Sequence, residues 1–584
     1  MTFSASSNFN HGYPTPGPQS PTGQKVMDHV FFVSETEWKK VREEMQFDYI
    51  IIGSGFCAYA FAERIIQDDP HKNILILERG SFFLPEHFQN LPLPYQKTLG
   101  GLSETFPWTL SEKTHNAEYI KWQHGMVPFF GGRSTLWSAW CPQPSRAEME
   151  GWPEITKDAV QKNFDSAKKL LNVVSANDID NHTNNNHNFH IPTCGDKPIY
   201  GIMQKSLTEM LQKNYSSIPN VNRVEAAPLA AGSQDTDFSK YAIPGPLLTL
   251  AGKQAELADK NKDHKSLFRI VTNCVINQIV QQDGKATALE TSRGVISIGN
   301  AKLILGMGTL PPTTLIHNSF PQQLFPELKN VGERFTAHFI SSIVARIPRK
   351  CYPFSNKLGE LEIGAIYVAG KDPKTDGQFH IQLSILSDKY PDKNAQLAAR
   401  YMPDVVATAS PQQLANSQDY LVFVCAVLGE IDHNNKNNWF RKNSGADLTD
   451  NSTLQVLAND NDNKVWDTMD EAAFVMLEKA LLPENSGCSV EYWHDDQQDK
   501  GKWQIKRPSQ KQIRVDGLVH EGSTLWIGND HESDGPSPVD INYKLRSVEN
   551  VYVTGGCLWP RSGSWNPTAA MVALAQDLAD KLSQ

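Results

Sequence analysis

The stretch that decides the fold is Phe47–Glu78, with the sequence FDYIIIGSGFCAYAFAERIIQDDPHKNILILE. Its first part contains three consecutive isoleucines, as expected of a strand that is buried on both faces. The turn Gly53–Ala58 follows, then a helix-like stretch over Ala60–Gln67 and a second apolar strand over Asn73–Leu77. This order predicts the strand–helix–strand unit of a Rossmann-like α/β domain.

The turn has the pattern GxGxxA, and each small residue has a physical role. Gly53 allows the tight turn, Gly55 lets the backbone approach a pyrophosphate, and Ala58 lets the helix pack close to the strand. The free N–H groups at the helix N-terminus attract phosphate. Glu78 ends the second strand and can accept hydrogen bonds from ribose hydroxyls, which favours a cofactor without a 2′-phosphate. The stretch predicts dinucleotide binding, with a purely structural turn as the alternative, and leaves NAD and FAD open.

Size and composition narrow the class of protein. With 584 residues the chain exceeds one ordinary hydrophobic core, so two large lobes are expected. Apolar residues make up 40% and charged residues 21%, and the net charge of -10 argues against nucleic acid as a partner. The eight cysteines form no CxxC pair. A zinc ribbon or a dense disulfide scaffold is therefore not expected, and a reducing compartment is favoured.

Targeting signals are weak. The N-terminal segment is rich in Pro, Gly and Ser and lacks the apolar run of a secretory signal, and no stretch approaches the roughly 20 apolar residues that span a bilayer. The final residues, KLSQ, are not an SKL-type peroxisomal address. The sequence predicts a cytoplasmic protein without a membrane partner and with a mobile leader of roughly 25 residues.

Further glycine-rich and polar motifs are spread along the chain. They are Gly131–Trp137 (GGRSTLW), Gly151–Pro153, Gly306–Pro311, Val331–His338, His520–Gly528 (HEGSTLWIG), Val539–Asp540, Gly555–Gly556, Pro560 and Asn566–Thr568. In this order and spacing the chain resembles the glucose–methanol–choline (GMC) oxidoreductase family, and within it the pyranose oxidases. The resemblance covers most of the chain except the leader and the stretch from about residue 350 to about residue 505.

The resemblance implies FAD as the cofactor and an alcohol-type substrate, a class that includes sugars and other polyols. His520 would be the base that takes the hydroxyl proton, a task that suits a neutral imidazole. Asn566 would hold the substrate oxygen, and the flavin N5 would accept the hydride. The implied cofactor-binding residues are Gly53, Gly55, Ala58, Glu78, Arg79, Gly131, Gly132, Ser134, Thr135, Leu136, Val275, Gly556, Cys557, Asn566, Pro567 and Thr568.

Two of these regions carry a specific structural expectation. Val275 matches the residue whose backbone usually meets the adenine, and we expect it on a strand over Ile270–Val280. Asn566 suits an N-cap and Pro567 the first helical position. The helix that follows repeats apolar residues on one face and points its positive dipole end toward a reduced flavin. Those apolar residues are Met571, Leu574, Ala575, Leu578 and Leu582.

Departures from the family pattern limit what the resemblance implies. Some relatives attach FAD covalently through a histidine at the position of Leu136, so non-covalent FAD is predicted. The usual Arg–Met pair is replaced by Trp526–Ile527. This leaves the substrate and the electron acceptor, oxygen or another molecule, open. An aromatic set of five tryptophans near the motifs could stack on a substrate, but most of its members are expected in the core: Trp137, Trp140, Trp526, Trp559 and Trp565.

The remaining chain predicts a second domain inserted into the first. Four strand-like stretches, Ser341–Arg349, Leu361–Val368, Gln378–Leu386 and Tyr420–Leu428, include several that alternate in polarity, which favours an antiparallel sheet with one wet face. The predicted organisation is a leader (1–45), FAD-binding parts (46–152, 266–340 and 511–584, the last with the catalytic His and Asn) and substrate-domain parts (153–265 and 341–510).

Two polar tracts are expected to be solvated loops, and no metal site is predicted. The first, residues 177–190, contains His182, His187 and His190 but no completing ligand set, and the second, Asn459–Asn463, lacks the glycine and glutamate of a calcium loop. Three hypotheses of function remain: an FAD-dependent alcohol oxidoreductase, a non-redox lyase of the same fold that keeps FAD, and a flavin-binding protein without turnover. The oligomeric state stays open.

Overall fold

The computed structural model describes residues 22–92, 103–118, 124–180, 192–232, 240–260, 267–403, 410–414, 418–496, 500–529 and 535–583. The helices are α1 (Gly23–Val30), α2 (Glu35–Glu44), α3 (Phe56–Asp68), α4 (Glu112–His115), α5 (Glu154–Leu170), α6 (Ile202–Asn214), α7 (Pro244–Lys260), α8 (Leu310–Ser319), α9 (Pro391–Tyr401), α10 (Pro411–Leu414), α11 (Asp460–Val475), α12 (Gln510–Ile513) and α13 (Thr568–Ser583).

The strands are β1 (Tyr49–Ile52), β2 (Ile74–Leu77), β3 (Thr109–Leu110), β4 (Val173–Ser175), β5 (Thr193–Cys194), β6 (Lys197–Pro198), β7 (Val221–Ala226), β8 (Pro228–Ala230), β9 (Phe268–Val271), β10 (Ile276–Gln282), β11 (Lys285–Thr291), β12 (Gly294–Ser297), β13 (Lys302–Leu305), β14 (Thr336–Pro348), β15 (Leu361–Lys371), β16 (Gln378–Asp388), β17 (Tyr420–Glu430), β18 (Trp439–Lys442), β19 (Ser452–Gln455), β20 (Glu491–Asp496), β21 (Lys500–Gln504), β22 (Arg514–Gly522) and β23 (Val551–Val553).

A parallel sheet brings together strands from three distant parts of the chain. Its order is β23–β13–β1–β2–β9, and each neighbouring pair runs parallel. All residues of β1 and β2 are buried, which explains their continuous apolar sequence. The C-terminal helix α13 packs against α3 and α5. The parallel α/β unit predicted from the first stretch is confirmed.

The strand expected over Ile270–Val280 is two separate strands. β9 ends at Val271 as the edge of the parallel sheet, and β10 begins at Ile276 in a three-stranded antiparallel sheet with β11 and β12. The chain has to change direction between the two sheets, and Val275 lies in this connection. The prediction of one strand was wrong because an apolar run does not mark where a strand changes sheet.

A larger antiparallel sheet contains the four strands predicted for the inserted domain. Its order is β21–β20–β14–β17–β16–β15–β7, and β22 also pairs with β14. The expected wet face is wrong for β15 and β16, because every residue of β16 and ten of the eleven residues of β15 are buried, whereas residues 340–348 of β14 alternate between buried and partly or fully exposed positions. One apolar cluster packs on each side of the sheet. The polar residues that produced the alternation, such as His380 and Ser384, therefore lie inside the protein.

Residues 23–44 of the segment expected to be a leader form α1 and α2. Trp38 is buried, and its indole N–H donates to the carbonyl of Arg293 at 2.8 Å. The N–H of Val33 donates to the carbonyl of Ile270 at 2.9 Å. This segment is thereby attached to the edge of the parallel sheet at β9 and to the turn between β11 and β12.

The C-terminal helix differs from the expected amphipathic one. Residues 572–579 of α13 are all buried, while Met571, expected on the apolar face, is only half-buried. The helix lies between α3 and α5, so partners cover it nearly all round. A helix in such a place does not need a polar face.

The cysteines include one disulfide bond, Cys351–Cys488, whose partners are 137 residues apart. The other six are buried thiols: Cys57, Cys141, Cys194, Cys274, Cys425 and Cys557. Disulfide bonds are rare in reducing compartments, so this bond weighs against the compartment inferred from cysteine spacing.

The two polar tracts have different outcomes. Asn459–Asn463 is not a loop: Asn459 caps α11, and its side chain accepts from the N–H of Asp462, whose carboxylate accepts from the N–H of Asn459. His182, His187 and His190 lie outside the described residues. Within the described ranges no helix is long and apolar enough to cross a membrane. The same ranges contain no group of three or more His, Cys, Asp or Glu side chains placed to hold a metal ion.

Candidate active site

The GxGxxA turn lies between the end of β1 and the start of α3. Gly53 has a φ of +101°, and a Cβ there would lie 2.6 Å from the carbonyl oxygen of Gly306. Ala58 packs against the same Gly306, whose own added Cβ would lie 3.4 Å from the Ala58 Cβ. Gly55, in contrast, faces almost open space, with only the carbonyl oxygen of Gly131 at 4.0 Å. The turn is therefore tightly packed on its inner side and open at the N-terminus of α3.

Glu78 is the centre of a buried hydrogen-bond network. Its Oε2 accepts from the hydroxyl of Ser54 at 2.5 Å and its Oε1 from the N–H of Gly80 at 2.9 Å. The same Ser54 oxygen accepts from the N–H of Gly131 at 2.9 Å. Burial raises the pKa of Glu78 to about 7, against the hydrogen bonds, which lower it. The network joins the first glycine motif to the second.

The second glycine motif forms a tight turn. Gly131 has a φ of +91°, and Gly132–Thr135 is a short 3-10 helix. Ser134 donates to the carbonyl of Gly131 at 2.7 Å and accepts from the N–H of Ile243 at 3.0 Å, so this buried hydroxyl holds the turn closed. Leu136 is half-buried at the end of the turn.

Arg133 connects this turn to the segment that carries His520. Its guanidinium donates to both carboxylate oxygens of Glu521, at 2.8 Å and 3.1 Å, and to the carbonyl of Gly125 at 2.7 Å. Two-point pairing of this kind fixes geometry as well as charge. Two motifs about 390 residues apart in the chain therefore meet next to His520.

His520 lies in a β-bulge near the end of β22. Thr336 pairs with Gly522 and His338 pairs with Val519. An advance of three residues along β22 therefore lies opposite an advance of two residues along β14. His520 has a φ of +62°, a left-handed backbone that is uncommon outside glycine. A bulge of this kind turns a side chain away from the regular alternation of a strand, as is often found beside active sites.

The ring of His520 is surrounded by other cationic or titratable groups. Its Nδ1 lies 2.9 Å from Nδ1 of His338, whose Nε2 lies 2.8 Å from the carbonyl oxygen of Gly563. Burial of the ring and the neighbouring His338, His380, His124 and Arg133 hold the pKa of His520 well below its usual range. The residue as a whole is half-buried. His520 is therefore a neutral imidazole at neutral pH.

Asn566 precedes α13 but does not cap it. The first helical hydrogen bond runs from the N–H of Met571 to the carbonyl of Pro567, so Pro567 has the N-cap position and Asn566 lies one residue earlier. The N-cap expected at Asn566 was therefore wrong by one position. Asn566 is 3% exposed, and no described group bonds its side-chain oxygen. A buried carboxamide oxygen without a partner is costly unless a ligand or water binds it.

The two predicted catalytic residues are brought to one region by a short chain of contacts. His520 contacts His338, His338 contacts Gly563, and Gly563 lies three residues before Asn566. Gly556 and Cys557 are in a 3-10 turn whose carbonyls accept from the N–H groups of Ser523 and Leu525, which follow His520. The sheet register and these contacts place the N-terminus of α13 beside the His520 segment.

Val275 lies beside the Glu78 network, because the N–H of its neighbour Cys274 donates to the carbonyl of Glu78 at 2.9 Å. The N–H of Val275 donates to the hydroxyl of Ser292 at 3.0 Å, and its carbonyl accepts from the N–H of Ser292 at 2.8 Å. Both backbone groups are engaged within the protein. Arg79 follows Glu78 and is half-buried, and Thr568 is buried as the first residue of α13.

The expectation that most of the tryptophans fill the core is confirmed. Trp137 is half-buried. The other four tryptophans are no more than 3% exposed: Trp140, Trp526, Trp559 and Trp565. Trp152 packs on Trp559 at 4.7 Å and donates to the carbonyl of Arg561 at 2.9 Å. The aromatic cluster thus supports the loop before Asn566.

Three residues that support the site were missed from the sequence. Ser54 joins the two glycine motifs, and Glu430 binds Arg561 at 2.6 Å and 2.9 Å in the loop before Asn566. Ser54 lies inside the quoted motif, so its position was a usable signal. The Glu430–Arg561 pair joins residues 131 positions apart in the sequence, and no motif marks Glu430.

The residues present fit FAD, the cofactor that the resemblance implies. The open backbone above Gly55 gives a pyrophosphate access to the N-terminus of α3, which spans 13 residues and attracts negative charge. The unpartnered oxygen of Asn566 and the Nε2 of His520, to which no described residue bonds, leave polar groups for a bound ring system or substrate. Glu78 retains acceptor capacity for a ribose beyond its two hydrogen bonds.

Two comparisons with known proteins find similarity to this chain. Residues 364–575, which include His520 and Asn566, match the family model described as GMC oxidoreductase. The fold is similar to that of the crystal structure of pyridoxine 4-oxidase from Mesorbium loti, with a TM-score of 0.57, 15% identity, and coverage of 92% of this chain and 99% of that chain. Comparison with curated proteins gives no match. The family-model match in the C-terminal part supports an FAD-type oxidoreductase enzyme, and the structural likeness shows a shared fold.

Proposed function

We propose that the enzyme removes a hydride from the hydroxyl-bearing carbon of an alcohol, which includes sugars and other polyols, with FAD as the acceptor. In this proposal His520 is the base and Asn566 holds the substrate oxygen. The cofactor lobe consists of residues 46–152, 266–340 and 511–584. The antiparallel sheet and its neighbours form the substrate lobe. The finer likeness to pyranose oxidases belongs to the same proposal.

The observation that carries the proposal is the pairing of a neutral imidazole with an unpartnered buried carboxamide. The pKa of His520 is lowered by burial and by its cationic and titratable neighbours, and the side-chain oxygen of Asn566 has no partner among the described residues. Alcohol oxidation needs a group that takes a proton and a group that supports the oxygen left behind. The imidazole of His520 supplies the first, and the amide N–H of the Asn566 side chain, which donates, supplies the second.

The proposed mechanism divides the tasks among named residues. The bound flavin supplies the two-electron acceptor for the hydride. Asn566 orients the substrate hydroxyl, and His520 takes its proton, which leaves the electron pair of the O–H bond on the oxygen. Glu521 and Arg133 hold the bulge that carries His520, and Glu430 and Arg561 hold the loop that precedes Asn566. Trp559 and Trp565, both buried, help to keep water out of this corner.

The low pKa of His520 gives the proposal a pH signature. An imidazole with a lowered pKa stays in the base form as the pH falls through the ordinary range of histidine. We therefore expect the rate of flavin reduction to change little between about pH 8 and about pH 6. Stopped-flow measurement of flavin bleaching across this range checks it. A rate that halves at the ordinary histidine pKa would contradict the assignment of a base with a lowered pKa.

FAD is proposed to bind without a covalent bond. Leu136 occupies the position where some relatives carry a tethering histidine, and a carbon side chain cannot form that bond. The nearby imidazole of His87 is engaged at both nitrogens, with Nε2 2.6 Å from the carbonyl of Trp137 and Nδ1 accepting from the N–H of Gln89. Acid precipitation is expected to release the yellow colour into the supernatant. Colour that stays with the pellet would contradict non-covalent binding.

The experiment that tests the function is an anaerobic screen. Purified protein with FAD is mixed with primary alcohols, secondary alcohols and sugars, and the flavin absorption band and the products are followed. Bleaching of the band supports the oxidoreductase. Product without bleaching would support the alternative of a non-redox lyase, and binding without product or bleaching would support a flavin protein without turnover.

A further inference from the structure

The contact between His338 and His520 bears on which nitrogen of His520 carries its proton. Nδ1 of His338 lies 2.9 Å from Nδ1 of His520, and Nε2 of His338 lies 2.8 Å from the carbonyl oxygen of Gly563. A neutral imidazole has one N–H and one bare nitrogen. The partner at one end of this chain therefore determines the tautomer of each ring along it.

The chain begins at a fixed acceptor, the carbonyl of Gly563. The carboxylate of Glu430 accepts from the N–H of Gly563 at 3.2 Å and from Arg561 at 2.6 Å, which holds the loop in place. Gly563 has a φ of +58°, and a Cβ there would lie 1.9 Å from the ring of Trp565, so the backbone has little room to turn. A carbonyl only accepts, so Nε2 of His338 donates.

The next two assignments follow from the first. His338 is 1% exposed, and burial lowers its pKa to about 4, against the opposing effects of Glu430 and of the bond to Gly563, so the ring is neutral at neutral pH. With its proton on Nε2, its Nδ1 is bare and accepts. His520 then donates from Nδ1, and its Nε2 is bare. No described residue bonds that Nε2.

We propose that His338 is a positioning residue that holds His520 in the tautomer with an unprotonated Nε2, available to the substrate hydroxyl. The inference rests on the proposed function, in which His520 is the base. In the step itself, the O–H bond of the alcohol breaks, its proton bonds to Nε2 of His520, and its electron pair stays on oxygen. The Nδ1–H of His520 still donates to His338, which keeps the imidazolium aligned.

Other groups act on His520 but cannot set its tautomer in this way. His380, His124 and Arg133 disfavour the protonated ring through their charge or potential charge. The ring of His380 lies 6.0 Å from that of His338, centroid to centroid. Only His338 has a ring nitrogen within hydrogen-bond distance of His520 among the described residues.

A neutron diffraction structure of the deuterium-exchanged flavoprotein near pH 7.5 reads the protons directly. We expect deuterium on Nδ1 of His520 and on Nε2 of His338, and none on Nε2 of His520. Deuterium on Nε2 of His520 would overturn the proposal. This measurement needs no substrate, so it decides the tautomer even if the proposed function fails.

Three variants separate positioning from a structural role. H338L removes both hydrogen bonds and is expected to slow flavin reduction about 10-fold or more, with FAD still bound. H338D keeps an acceptor for Nδ1–H and is expected to recover most of the rate, with the acid limb of the pH profile moved to higher pH because a carboxylate favours imidazolium. H338N, a neutral acceptor, replaces H338D where a buried carboxylate prevents folding.

The kinetic outcomes divide cleanly. The substrate in these assays is the alcohol that bleaches the flavin of the wild-type protein fastest in the anaerobic screen. H338L at the wild-type rate and pH profile, or acceptor variants as slow as H338L, would overturn the positioning role. Wild-type protein that no alcohol bleaches, or H520A at the wild-type rate, would overturn the proposed function instead, and the neutron structure would still decide the tautomer.

Discussion

The glycine turn after β1 and the bulge that carries His520 are built in opposite ways. The turn leaves a local pattern, since Gly53, Gly55 and Ala58 lie within six residues, although Gly53 and Ala58 also pack against Gly306 at the end of β13. The bulge depends on the pairing of β22 with β14, which starts about 180 residues earlier, and on Arg133 from still farther away. A local site can be read from one stretch of sequence. An assembled site requires the sheet register.

The difference extends to how each region tolerates change. The turn is held by close backbone packing, so a single added methyl group meets the carbonyl of Gly306. The bulge is held by side-chain pairs, so it responds to loss of charge or of a hydrogen bond. The following substitutions test each region in its own terms.

The largest effect is expected from H520A. Loss of the base is expected to slow flavin reduction by about 100-fold or more, because general-base catalysis contributes on that scale, while the glycine turn and the bound flavin stay intact. Stopped-flow flavin reduction and the flavin spectrum measure the two parts separately. An unchanged reduction rate would remove His520 from the mechanism.

G53A tests the local region. Its Cβ would lie 2.6 Å from the carbonyl oxygen of Gly306 at a backbone φ of +101°, so the turn has to move. We expect FAD binding to weaken by roughly 10-fold to 100-fold, which corresponds to the loss of one hydrogen bond to a charged group. G151A is the matched control, since Gly151 has a φ of +81° with nothing within 4 Å. Equal FAD affinity in both variants would show that the close approach to Gly306 is unimportant.

E521Q tests the assembled region. It weakens the two-point pair with Arg133 beside His520, and a small shift of the base is expected to slow flavin reduction roughly 10-fold with FAD affinity unchanged. E154Q, which weakens the exposed pairs with Arg146 and Lys157, is the control and should have no effect. A normal rate in E521Q would mean that strand pairing alone holds the bulge.

E78Q is expected to change stability rather than the rate of flavin reduction. The buried carboxyl has a pKa raised to about 7, so it favours the folded state below its unfolded pKa, and this contribution is lost as the pH rises through about 7. The melting temperature of flavin-free E78Q should therefore rise relative to that of the flavin-free wild type as the pH increases from about 5 to about 8. The gain corresponds to at most about 3 kcal/mol. A difference that does not change with pH would contradict the raised pKa.

The sequence predicted the parallel strands, the antiparallel strands and the glycine turn because each leaves a local pattern. It did not predict that β15 and β16 are covered on both sides, since the polar face of β16 looks the same whether water or protein lies above it. It placed Asn566 at the N-cap because Asn-Pro is a typical start, whereas Pro567 has that position. The link between His338 and His520 arises from strand register and a bulge, which no single stretch encodes.

The measurement that tests the central claim most directly is a crystal structure of the protein with FAD and a non-reactive alcohol analogue. The account predicts that Nε2 of His520 and the side-chain amide of Asn566 both lie within hydrogen-bond distance of the same analogue oxygen, beside N5 of the flavin. A flavin ring bound elsewhere, or an analogue oxygen that neither side chain contacts, would contradict it.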